Sequence, residues 1–107
     1  MSKLITYNKL VRDKIPAIIE ASGKKCEIQV LNDEAYLEML DKKLSEELKE
    51  YQESHEAEEL ADILEVIYAL AQARGASKAQ LEGIRKTKAD KRGLFEKKIL
   101  LKSVTED

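Results

Sequence analysis

A mainly α-helical fold, an antiparallel bundle of about four helices with a minor two-stranded β-ribbon, follows from three features of the 107-residue sequence. Punctuation is sparse: there is one proline, Pro16, and three of the four glycines (Gly23, Gly75, Gly93) fall where helical patterns end. Apolar residues recur at three- and four-residue steps through three long segments. One of these segments is apolar nearly all round, as suits a helix at the centre of a bundle. Leu, Ile, Val and Phe supply 28 of the 107 residues, above the roughly 20% below which a highly charged chain stays disordered. A chain of this length holds one domain, spanning residues 1–107.

The first helix is expected over 14–22. Pro16 sits in its first turn, where no intrahelical N–H bond is lost, Ile15, Ile18 and Ile19 share a face, and Gly23 follows its end. Residues 26–31 alternate partially and are rich in β-branched side chains, and 95–102 read similarly, so these two segments form the expected ribbon. A second helix, capped by Asn32 or Asp33 and carrying acids in its first turn, runs over 34–52 with Leu37, Leu40, Leu44 and Leu48 in line. Ser54 caps a third, which runs through Ile63, Ile67, Leu70 and Ala71 until Arg74 and Gly75 end it. Ser77 and Gln80 fit a capping box that opens the fourth helix, which passes Leu81 and Ile84 and ends on Lys88, Lys91 and Arg92 before Gly93.

Composition excludes several function classes. The 19 basic and 21 acidic side chains leave a net charge of −2, with no strongly basic end to track a phosphate backbone, so duplex nucleic acid is not an expected partner. The longest nearly apolar run, 63–73, is broken by Glu65 and Gln72 and is shorter than the roughly 18 residues a membrane span needs. The first residues are polar and charged rather than signal-like, and a cytoplasmic location is expected. Cys26 is the one cysteine and His55 the one histidine, too few for a disulfide or a zinc site. Cys26 reads as a buried thiol and His55 as a turn residue.

Most acids here need no account beyond solvation, but two groups do. Glu47 lies at the edge of the second helix's apolar stripe, with Glu46 and Glu50 beside it. Glu59 and Asp62 stand three apart on the third helix, Asp62 among Leu60, Ala61, Ile63 and Val66. A buried carboxylate is costly without a partner. If the two helices form an antiparallel hairpin turning between Ser54 and His55, Glu50 faces Glu59 and Glu47 faces Asp62. Four acids on adjacent turns would repel one another and protonate unless a cation sat between them. An all-oxygen site suits Mg²⁺ or Mn²⁺. A di-iron bundle would need two histidines, and no Asp-rich calcium loop is present.

The run Glu46-Glu47-Leu48-Lys49-Glu50 followed by Glu59-Leu60-Ala61-Asp62 resembles the EExxE…ExxD signature of the all-α NTP pyrophosphohydrolases, the superfamily of MazG, dimeric dUTPases and phosphoribosyl-ATP pyrophosphohydrolase. Residues 7–16 (YNKLVRDKIP) and 88–95 (KADKRGLF) are similar to the small phosphoribosyl-ATP-pyrophosphohydrolase-like branch. Eight residues separate Glu50 from Glu59, fewer than in most of the superfamily, a spacing that suits a tight hairpin. The resemblance implies Mg²⁺-dependent hydrolysis of a nucleoside triphosphate, or of a related nucleotide such as phosphoribosyl-ATP, to the monophosphate and pyrophosphate, with house-cleaning of non-canonical nucleotides as one use. It implies Glu47, Glu50, Glu59 and Asp62 as metal ligands, Glu46 as a further ligand or the group that orients the attacking water, and a homodimer or higher homo-oligomer.

An anionic substrate also needs cations. Lys88 continues the stripe of Leu81 and Ile84 and so is expected to turn inward, with Lys91 and Arg92 beside it, although cations at a helix C-terminus have a plainer use, above all for Lys91. Lys9, Arg12 and Lys14 form a second basic group. A rival reading from another class is a non-catalytic helical interaction protein whose acids form a solvated face.

Overall fold

A computed structural model describes residues 3–106, which contain four helices: α1 (Ile15–Ala21), α2 (Asp33–Ser54), α3 (Ala57–Ala73) and α4 (Lys78–Arg92). Local chemistry accounts for their ends. Pro16 occupies the first turn of α1, and Gly23 follows it at φ 91°, a left-handed conformation that a side chain would strain. The Asn32 side chain accepts from the Ala35 N–H at 2.9 Å, and Asp33 and Glu34 lie where the helix dipole favours acids. The capping box of α4 is complete: Ser77 Oγ accepts from the Gln80 N–H at 3.1 Å, and Gln80 Oε1 accepts from the Ser77 N–H at 2.7 Å.

The second and third helices do form an antiparallel pair, joined by a two-residue turn. α2 runs on to Ser54, and His55 closes it in the left-handed conformation at φ 57° with its N–H donating to the Tyr51 carbonyl. Ser54 does not cap α3. Its hydroxyl accepts from the Glu56 N–H at 3.2 Å, inside the turn, and Glu56 takes the N-cap position without a side-chain bond. α3 packs along α2 and touches α4 as well, while α1 packs on none of the other helices.

The single chain has a sparse core. Among the described residues only Leu40, Val66 and Glu47 are buried. Leu60 and Leu64 on α3 and Ile84 on α4 remain about half exposed. Lys88 is likewise exposed rather than turned inward, because the cover that half-buries Leu81 at the start of the stripe is already largely lost at Ile84. The molecule extends 72 × 31 × 24 Å with a radius of gyration of 19.1 Å, against about 13 Å for a compact domain of this length.

The ribbon expected from 26–31 and 95–102 does not form: no strand occurs among the described residues. Val30, Ile99, Leu100 and Leu101 are each at least three-quarters exposed. β-propensity reflects a fit to a pleated, half-buried surface, and an isolated two-stranded ribbon is marginal in water. Cys26 is half-buried rather than buried, its thiol 3.8 Å from the Pro16 carbonyl. No helix among the described residues is long and apolar enough to cross a membrane.

Candidate functional site

The hairpin brings three carboxylates together. One oxygen from each of Glu47 and Glu50 on α2 and Glu59 on α3 lies within 4.8 Å of the others. Helical spacing puts Glu47 and Glu50 on one face of α2, and the two-residue turn sets Glu59 opposite them. Glu50 and Glu59 are half-buried, and Glu47 is 6% exposed. Glu47 Oε1 receives the Lys43 ammonium at 3.2 Å, while Oε2 is buried with no hydrogen-bond partner. Burial pushes the Glu47 carboxyl above its ordinary value; Lys43 opposes this and the nearby Glu50 carboxyl reinforces it.

Such a site fits a hard cation. A buried carboxylate oxygen with nothing to accept from is costly, and it lies in a group of three carboxylates whose mutual repulsion a divalent ion would relieve. Oxygen donors alone match Mg²⁺ or Mn²⁺ rather than softer metals.

Basic residues surround the group from two directions. Lys43 was not singled out by sequence, although its place four residues before Glu47 marks it as a helical neighbour; its ammonium also lies 3.5 Å from Glu46 Oε1. The arm formed by residues 3–14 crosses the acidic face from outside. Lys9 donates to Glu46 Oε1 at 3.0 Å, and Arg12 donates to Asp62 Oδ1 at 2.7 Å. The Lys9 bond holds the Glu46 carboxyl below its ordinary range, with Lys43 helping, and raises the Lys9 ammonium in turn. Asp62 thus stands one turn beyond Glu59 in an ion pair with Arg12, outside the three-carboxylate group. Lys14 precedes α1 as its N-cap and forms no ion pair among the described residues. Lys88, Lys91 and Arg92 border a separate groove with Gly75, Gln80 and Thr87, which shares no residue with the carboxylate group.

No family model and no solved structure matches the chain. Over 42 residues, 39% of this chain, it is 50% identical to a protein of Mycolicibacterium smegmatis described as uncharacterized. That match spans 43% of the relative's own length.

Proposed function

We propose that this protein is a Mg²⁺-dependent nucleotide pyrophosphohydrolase, acting on a nucleoside triphosphate or a related nucleotide in the cytoplasm. The observation that carries the reading is the buried, unpartnered Oε2 of Glu47 within a group of three carboxylates. A solvated acidic face, as the rival reading requires, has no use for a carboxylate withdrawn from water. The motif resemblance supplies the reaction class.

In this reading Glu47, Glu50 and Glu59 hold the cation, with Asp62 as the fourth acid. Bound there, the cation supplies charge neutralisation at the phosphoanhydride and Lewis acidity for the attacking water. Glu46, kept ionised by Lys9 and Lys43, accepts a hydrogen bond from that water and orients it towards the α-phosphorus. Water adds to the α-phosphorus as the bond from that phosphorus to the bridging oxygen breaks, the water's proton passes to solvent, and monophosphate and pyrophosphate leave. Lys9 and Arg12 already lie among the acids and meet the phosphate oxygens; Lys14, Lys88, Lys91 and Arg92 are the remaining phosphate-contact candidates. A homodimer or larger homo-oligomer covers the apolar surface that one chain leaves open.

Two measurements test this together. Mg²⁺ should raise the melting temperature of the wild-type chain, and pyrophosphate should be released from at least one member of a panel of canonical, deoxy and modified triphosphates that includes phosphoribosyl-ATP. No release from any member, with no Mg²⁺-induced stabilisation, would overturn the reading.

A further inference from the structure

We infer that the cleft between the N-terminal arm and the first half of α2 is a diphosphate-binding subsite, formed by the ammonium groups of Lys9, Lys42 and Lys43. Its ligand class rests on the hydrolase reading above. The cleft is lined by these three lysines and Glu46 together with Leu10 and Met39. Its three lysines face two acids, Glu46 in the cleft and Glu47 against Lys43, which leaves one positive charge over beside a site that is otherwise acidic. Asn8, in the left-handed conformation at φ 46°, turns the backbone just before Lys9 and so sets where the arm enters the cleft.

Lys43 joins the cleft to the carboxylates. It lines the cleft, yet its ammonium lies 3.2 Å from Glu47 Oε1 and 3.5 Å from Glu46 Oε1. A nucleotide whose reacting phosphate lies at the carboxylate group therefore meets Lys43 beside it, with Lys9, which shares Glu46 Oε1 with Lys43, and Lys42 in the same cleft. Lysines suit this task because an ammonium is a compact charge that serves any phosphate oxygen in reach. The groove bordered by Lys88, Lys91 and Arg92 is also cationic, but it shares no residue with the carboxylate group.

Calorimetric titration of the full-length chain with inorganic pyrophosphate in EDTA tests the subsite apart from hydrolysis. Wild type should bind pyrophosphate, and Lys42→Gln and Lys43→Gln should each weaken binding by about tenfold, the scale of one lost charge-assisted hydrogen bond. Lys86→Gln on α4 removes the same charge outside the cleft and should change nothing. Lys42 is exposed, so its variant carries the test even if Lys43→Gln unfolds. Equal affinity in wild type and Lys42→Gln, or no binding by wild type, overturns the subsite. Triphosphate hydrolysis with lysine-independent pyrophosphate binding overturns the subsite alone, whereas lysine-dependent binding without hydrolysis of any triphosphate supports the subsite and overturns the hydrolase.

Discussion

Arg12 donates a hydrogen bond to Asp62 at 2.7 Å, tying the N-terminal arm to the second turn of α3 across fifty residues of sequence. Both side chains are partly exposed, 58% and 41%, so the pair contributes at most about 1 kcal/mol to stability. Its consequence is positional: the guanidinium lies against an acid that the proposed metal site would use. Arg12→Gln should therefore act in two directions. Mg²⁺ binding without nucleotide should tighten, because a competing cation is gone. The kcat/KM for the triphosphate should fall by about tenfold or more, because a phosphate contact is lost. Mg²⁺ titration of the melting temperature and steady-state kinetics on one preparation check both signs, and a parallel loss of the two would contradict the assignment.

Glu50→Gln should leave the fold intact and abolish turnover. At a Mg²⁺ concentration about 100-fold above its dissociation constant, linkage stabilises a protein by about 2.7 kcal/mol, or roughly 10 °C for a domain of this size. Wild type should show a rise of that order and Glu50→Gln almost none. Scanning fluorimetry with and without Mg²⁺, alongside a pyrophosphate-release assay, measures both. Full Mg²⁺-induced stabilisation in Glu50→Gln would remove it from the ligand set.

Glu47→Gln should raise metal-free stability near neutral pH, and the gain should shrink in acid. The Glu47 carboxyl titrates above its ordinary value of 4.5, chiefly because it is buried, so the folded state holds its proton more tightly than the unfolded chain does. Above the folded value the ionised carboxylate destabilises the fold; below 4.5 it is protonated in both states and contributes nothing. The advantage of the amide is therefore full above the folded value and disappears as pH falls through 4.5. Urea unfolding of both proteins across that range tests it, and a gain that grows in acid would reverse the sign.

What could be read from the sequence was local. Asn32, the Ser77–Gln80 box and the stop at Gly93 depend on side chains and backbone a few residues apart, and each occupies the position its spacing indicates. The meeting of Glu47, Glu50 and Glu59 was also legible, because helical periodicity and a short turn fix it. The bond from Arg12 to Asp62 was not, since nothing in local spacing encodes a partner so distant. Val30 and Ile99 have strand-like composition but find no pleated neighbour, and both are exposed. Lys88 follows an apolar stripe, but a stripe turns a residue inward only where another helix lies against it.

That missing cover leads to the last prediction. A folded monomer of 12.2 kDa exposes about 6,000 Å², whereas this chain exposes 10267 Å². The excess is about 4,000 Å² per chain, and an obligate interface of about 2,000–5,000 Å² in total, half of it from each partner, would cover part of it. Leu60 and Leu64, 50% and 45% exposed, stand one turn apart on α3, the helix at the centre of the contacts within the chain. A second copy is the occupant whose surface has the matching deficit, and a two-fold contact would cover both faces at once. Sedimentation at micromolar concentration should show a dimer or larger species. Lys substituted for both Leu60 and Leu64 should shift the population towards monomer and lower the melting temperature, since each charge would be buried in the interface. A wild-type chain that sediments as a well-folded monomer, with the same melting temperature across a hundredfold range of concentration, would contradict assembly through α3.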